Sequence, residues 1–429
     1  MNQKNKFDYS WVIIGICFLM ICIGLGFCSS GRTLYLTAIT DALGISRGAF
    51  SLNDTFRFVT TTIVNLFFGT LVARFGTKKL ICAGFICLIG FTLINATASE
   101  LYAFYIGGIL LGVGLSWTGT TMVSVVLNKW CTKNKGTITG AVLAANGLGG
   151  ALSVQLLTPV IFQDGNPFGY RNSYNIVTLI LVATLILVMV LYREKKNEGD
   201  DNPENYKKKR KARGTGWVGM EYEVAKTKPY LYVAMGCMFL TGMTLQGLGG
   251  ITVPHLYDLG LDVGIVANIS SISSILMIFT KFLTGYMYDK YGMKITMNIA
   301  FFSAFVSMFT LMVVQNTPLG IALAFARLPF AAIALPLETV MLPLFASEFF
   351  GNKSFDKMVG LFVSASTAGF AVGSPFANVC HDIFGSYRIA FIVFAVLMIA
   401  VTTSMQYVYK AAKRDREIIL KSIEEVKPQ

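Results

Sequence analysis

The sequence is short of charge. Of its 429 residues only 14% are Asp, Glu, Lys or Arg. A soluble domain carries roughly a quarter, so an ordinary aqueous fold is excluded and a bilayer is the expected solvent. Acids are scarcer than bases, 23 against 36. There are two histidines, and the eight cysteines stand at 17, 22, 28, 82, 87, 131, 237 and 380. That scatter gives neither metal-ligand spacing nor a disulfide framework. No Gly-x-x-x-x-Gly-Lys-Ser/Thr phosphate loop occurs, which argues against an ATP-driven pump. No zinc, nucleophile or triad signature occurs either. The chain is therefore expected to be no enzyme, to hold no metal and to need no cofactor.

What the chain has instead is apolar length: 54% of it is hydrophobic. Runs of about 20 residues, enough for a helix to cross ~30 Å of hydrocarbon, lie at 11–39, 50–73, 80–98, 101–127, 138–162 and 174–192. Six more follow at 230–257, 263–288, 295–314, 319–345, 358–384 and 389–409. The first is too long and too glycine-rich for a cleaved signal and is taken as an uncleaved span. It is expected to tilt or bend at Gly24, Gly26 and Gly31.

The basic residues then give an orientation. Of 36 Lys and Arg, 29 fall in the two ends or in alternate loops, and only Arg47, Arg171 and Arg388 fall in loops on the other side. This asymmetry places both termini in the cytoplasm. The net charge of +13 therefore reflects topology, and no nucleic-acid partner is expected. Residues 194–228, with the basic run Lys207 to Lys211, read as a solvated cytoplasmic linker. The predicted organisation is a bundle over residues 1–193, the linker at 194–228, a second bundle over 229–410 and a tail at 411–429. A monomer is expected in the cell membrane.

The two halves repeat. Thr280 to Lys294 reads TKFLTGYMYDKYGMK, and a weaker copy, VNLFFGTLVARFGTK, lies 216 residues upstream. Gly69, Gly76 and Lys78 match Gly285, Gly292 and Lys294, and the same offset pairs Gly26 with Gly242, Gly31 with Gly247 and Gly44 with Gly260. Such a register marks an internal duplication, and a duplicated membrane protein is usually a transporter. Glycine at the helix end permits close packing, and an acid there pairs with bases or caps a helix terminus. The repeated turn can thus latch helices in one conformation and release them in another.

Arg32, Lys281 and Arg327 lie inside apolar runs, where a charge costs at least ~2.5 kcal/mol and reads as functional. Lys281 stands eight residues before Asp289, roughly 12 Å along a helix. Arg327 and Glu338 are 11 residues apart in the tenth run, which on one regular helix projects them from nearly one face. Cations converging on a water-filled cleft suit a carboxylate or another small anion. An ion pair with Glu338 is the plain alternative for Lys281 and for Arg327, and a snorkelling or surface position is the alternative for Arg32. Arg57, three residues after Asp54, reads as a local pair. Tyr35 and Trp117 are candidate pocket aromatics, with packing as the alternative. His255 and His381 read as interfacial. Glu338 is the carboxylate placed to carry a proton.

The turn Gly285, Asp289, Lys290, Gly292 and Lys294 resembles the signature between spans two and three of the major facilitator superfamily, here most complete in the second half. The upstream copy, with Gly69, Arg74 and Gly76, has Ala73 where that family carries its acid. Lys281, four positions before Gly285, resembles the basic residue that the monocarboxylate transporter and oxalate:formate antiporter branch carries there. Arg32 resembles a basic residue late in the first span of monocarboxylate transporters. WCTKNKGTITGAVLAANGLGG (130–150) and MEYEVAKTKPYLYVA (220–234) resemble segments of the same branch. Span eleven lacks the lysine of the oxalate antiporter, having small residues from Ala365 to Gly369. Met277 stands where some monocarboxylate transporters have an acid.

The resemblance implies an all-α integral membrane protein of twelve transmembrane helices in two six-helix bundles around a central cleft. It implies alternating-access transport of a small organic anion, a mono- or dicarboxylate, with protons or a counter-anion as partner. Arg32, Tyr35, Trp117, Lys281 and Arg327 would bind substrate. Gly69, Arg74, Gly76, Gly285, Asp289, Lys290 and Gly292 would form the latch. Export of a lipophilic drug is the alternative, although it would call for acids in the cavity. A transporter-like sensor would want a signalling domain that the sequence does not show.

Overall fold

A computed structural model describes residues 9–29, 33–45, 47–131, 134–163, 166–194 and 219–425. Arg32, and the linker run from Lys207 to Lys211, lie outside the described residues. The elements are helical almost throughout, as expected where the bilayer offers backbone N–H and C=O groups no partner and each segment must satisfy its own.

Ten described helices are long and apolar enough to cross a membrane, and the pair Leu52–Leu66 and Phe68–Phe75, bent by 60°, supplies an eleventh. One of the ten, Gly264–Val313, runs 50 residues, about 75 Å of helix and more than twice a bilayer core. It is broken at Gly292 by φ 78° and ψ 174°, so it holds spans eight and nine. Twelve spans result, close to the runs read from the sequence.

Several spans are less regular than their apolar runs. The first is α-helical over Ser10–Met20, turns π-helical over Ile21–Phe27, and is followed by a separate helix, Thr33–Leu43. Within the π-helical stretch stands Gly26, where a Cβ would lie 2.5 Å from Gly149 Cα in the fifth span. The fourth breaks at Gly119 into Leu101–Thr118 and Thr120–Trp130. The tenth is a chain of pieces, Pro318–Ala326, Leu328–Ala334, a 3-10 turn Leu335–Glu338 and Met341–Phe350. Pro329 and Pro336 each remove a helical N–H. The twelfth is much longer than its apolar run, continuing as one helix over Arg388–Glu425.

The chain divides into two compact units. Unit 1 is Met1–Arg57 with Leu71–Asp201. Its first and fifth spans meet at Gly26 and Gly149. A buried polar seam joins Tyr35 to Ser173 (2.6 Å), Asn95 to Tyr174 (3.3 Å) and Thr178 to Thr92 (2.8 Å).

Unit 2 is Phe58–Thr70 with Asn202–Gln429. The second span gives it a segment that packs on the eleventh span, Phe355–Phe384. There Ser364 donates to the Thr62 carbonyl at 2.7 Å, and a Cβ on Gly69 would lie 2.7 Å from Lys357 Cα. The chain just before span seven is tied to the same unit. Met220 donates to the Phe350 carbonyl at 3.0 Å, and Lys228 pairs with Asp415 at 2.7 Å.

The duplication is visible in the backbone. Gly76 (φ 78°, ψ 165°) and Gly292 (φ 78°, ψ 174°) share one conformation, and Gly44 and Gly260 both take positive φ. Gly26 abuts Gly149 and Gly150, and 216 residues later Gly242 abuts Ser366, the counterpart of Gly150.

Candidate functional site

Within unit 2 the charged candidates separate into two places. Lys281 sits on the eighth span between buried Thr280 and Thr284 and is itself only 3% exposed. It makes no direct ion pair among the described residues. Glu338 is the acid whose charge acts on it. Glu338 belongs to the 3-10 turn after Pro336, and its Oε1 is buried without a hydrogen-bond partner.

Arg327 lies at the junction of two short helices, 5% exposed. Its Nη1 donates to Ser307 Oγ at 3.1 Å, while Nε is buried with no partner. It lines a cavity of about 200 Å³ with residues of spans seven and eight, among them Gly249, Thr252, Ser270 and Ser273. Neither Lys281 nor Glu338 lines that cavity. Arg327 and Glu338 lie in one apolar helical stretch, Pro318–Glu338, which has a turn at Arg327 and ends in the 3-10 turn that carries Glu338.

In unit 1, Tyr35 is 2% exposed, bonds Ser173 and stacks on Tyr174 at 4.2 Å. Trp117 is half-buried in span four, with its indole Nε1 buried and unbonded. Arg57 pairs with Asp54 at 3.2 Å and donates to Ser29 Oγ at 2.7 Å, the local pair that the spacing suggested. His255, near the end of its span, is packed inside the protein. It is 2% exposed, bonded through Nε2 to the Leu311 carbonyl oxygen at 3.2 Å and packed against Phe391.

The repeated turns differ in how they hold their acids. Arg74 is exposed, over the Phe75 ring at 5.4 Å. In the first half, where Ala73 replaces the acid, Glu194 comes from beyond the sixth span. It accepts from Thr77 N at 2.7 Å and from Thr77 Oγ1 at 3.0 Å. In the second half Asp289 is exposed, and Lys290 lies over the rings of Tyr286 and Tyr291 at 5.6 and 5.2 Å. Nearby, Glu348 accepts from Tyr288 OH at 3.0 Å and pairs with Arg416 at 3.2 Å. Sequence reading missed Glu194 and Glu348. The available signal was an acid at the first residue of the linker and another near the end of span ten.

The Major Facilitator Superfamily profile matches residues 16–326 and 234–425. The chain is 20% identical to Homo sapiens monocarboxylate transporter 2, over 98% of this chain and 91% of that protein. It is 24% identical to the oxalate:formate antiporter of Oxalobacter formigenes, over 90% and 88% of the two chains. Among solved structures, the proton:xylose symporter XylE superposes with a TM-score of 0.75 at 14% identity, covering 94% of this chain and 96% of that one. These matches span nearly the whole length. The protein is a multi-pass membrane transporter and not an enzyme, and its chain belongs to the major facilitator superfamily.

Proposed function

We propose that the protein is a secondary active transporter of a small organic anion, a mono- or dicarboxylate, working as a monomer by alternating access. The observation that carries this reading is Lys281, a cation 3% exposed on an apolar span with no direct counter-ion among the described residues. A buried charge left unpaired is costly, and an anionic substrate supplies the missing partner during each cycle. Within unit 1, Arg32, Trp117 and Tyr35 are the proposed substrate-binding residues. Glu338, the acid coupled to Lys281, takes the proton in symport, and anion exchange is the other mode. The names of two relatives, a monocarboxylate transporter and an oxalate:formate antiporter, support the substrate class. The glycine turns at Gly69–Gly76 and Gly285–Gly292, with Arg74, Asp289 and Lys290, act as the latch. Both termini face the cytoplasm, joined by the two bundles (1–193 and 229–410) and the linker between them.

The test is uptake of labelled mono- and dicarboxylates into proteoliposomes. Lys281→Gln is expected to abolish uptake while the purified protein keeps its elution profile and melting temperature. Wild-type uptake by a well-folded Lys281→Gln would overturn the assignment of Lys281.

A further inference from the structure

Arg327 is a second buried cation, and its surroundings differ from those of Lys281. The guanidinium is 5% exposed, and no carboxylate pairs with it among the described residues. Its one hydrogen bond goes from Nη1 to the neutral hydroxyl of Ser307. That leaves the edge formed by Nε and Nη2, the edge that takes a carboxylate with two parallel N–H···O bonds. Nε is buried and unpartnered. A guanidinium in an apolar interior wants an anion, and here the cavity lies against it. We propose that the Arg327 cavity is an anion-binding site of its own, distinct from Lys281, whose ligand is a single carboxylate on a compact apolar body.

The distinction from Lys281 follows from helix geometry. Ser273, which lines the cavity, stands eight residues before Lys281 on the same helix, a rise of roughly 12 Å. The size of the ligand follows from the volume. The cavity holds about 200 Å³, against the ~150 Å³ of an engineered cavity that accepts benzene. A body of about six to eight non-hydrogen atoms therefore fits within it.

Its chemistry follows from the walls. Leu245, Leu248, Val253 and Ile269 are apolar, and Arg327 is the only charged residue in the lining. Thr252 donates its hydroxyl proton to the Leu248 carbonyl at 2.6 Å, and Ser270 donates to the Val266 carbonyl at 3.0 Å. Both hydroxyl protons are spent on backbone oxygens. Apart from Ser273, the rest of the lining is mostly hydrocarbon, against which a second carboxylate would be poorly solvated.

The experiment is titration calorimetry on purified full-length protein with 4-methylpentanoate as probe and adipate, the straight-chain six-carbon dicarboxylate, as control. Wild type is expected to bind 4-methylpentanoate at least tenfold more tightly than adipate. Arg327→Gln should lose that binding by tenfold or more, and Lys281→Gln should keep the Arg327-dependent isotherm. Gly249→Leu provides a variant with the arginine intact. Gly249 lines the cavity, and a Cβ there meets nothing within 4 Å, so the backbone accepts a side chain that plugs the space. Loss of 4-methylpentanoate binding in Gly249→Leu at an unchanged melting temperature supports the site. Wild-type binding in both Arg327→Gln and Gly249→Leu, or no binding by wild type, overturns it. Loss of binding in Lys281→Gln alone would also overturn it while leaving the transport reading intact.

Discussion

Glu194 Oε1 accepts a 2.7 Å hydrogen bond from the backbone N–H of Thr77, the first residue of the third span. The two residues are 117 apart in sequence. Thr77 Oγ1 donates to the same carboxylate, and Tyr192 OH lies 2.8 Å from that hydroxyl. A helix start leaves N–H groups unpaired and carries partial positive charge, so an anion there stabilises it. The first-half turn has lost its family acid at position 73 yet keeps an anion beside the helix, delivered by the segment after span six.

Removing that carboxylate is expected to cost stability at unit 1. Glu194→Ala deletes both hydrogen bonds and the charge, a loss of about 1–2 kcal/mol by analogy with helix caps. Glu194→Gln keeps an acceptor and should cost roughly half as much. Thermal melting in detergent reads the difference, with the order wild type, Gln, Ala. Equal melting temperatures for all three would remove the capping role.

The two turn glycines carry a second prediction. Gly76 and Gly292 adopt φ 78° with ψ 165° and 174°, a region open essentially to glycine alone. Gly292 has open space where a Cβ would go, so Gly292→Ala isolates backbone strain, expected at about 1–3 kcal/mol. Asparagine should not rescue it. Gly385 is the internal control. Its φ 67° and ψ 12° are left-handed helical, where asparagine is tolerated, so Gly385→Asn should melt close to wild type. If Gly292→Asn behaves like Gly385→Asn, strain is not the reason for glycine at 292.

A third prediction concerns Gly69. Its missing Cβ would fall 2.7 Å from Lys357 Cα and 2.8 Å from Lys357 N, and those backbone atoms do not yield as a flexible side chain would. Gly69→Ala should destabilise by about 1–3 kcal/mol, the cost of overpacking. Gly249→Ala, with nothing near its Cβ, should change the melting temperature little. A Gly69→Ala protein as stable as wild type would show that the approach at Lys357 is not tight in solution.

Much of this architecture was legible because bilayer physics is simple. Apolar length gave the twelve spans, and the 216-residue register gave the duplication, down to glycines that share a conformation. What was not legible was whatever depends on contacts between distant segments. Span periodicity alone could not show the turn at Arg327 or the 3-10 geometry that ends at Glu338. The Arg327 cavity draws its walls from three spans, and Tyr35 owes its burial to Ser173 and Tyr174, 138 and 139 residues away. Glu194 was hidden for the same reason, since its partner is in another helix. Lys281 could be read locally because a lone cation inside an apolar run is itself the signal.

Glu338 carries the last prediction. Its charge and that of Lys281 act on one another although no direct ion pair joins them, and its Oε1 has no hydrogen-bond partner. An anion seated beside Lys281 disfavours a second negative charge at Glu338, so anion and proton are taken up together. Uptake in proteoliposomes should then rise as the pH on the substrate side falls, and an inward proton gradient should drive accumulation. Glu338→Gln, fixed in a neutral form, should lose accumulation under that gradient and flatten the pH dependence. Counterflow of labelled against unlabelled substrate, which needs no net proton movement, should persist within a few-fold. Gradient-driven accumulation by Glu338→Gln at the wild-type level would assign the proton elsewhere. Loss of counterflow together with accumulation would make Glu338 part of substrate binding.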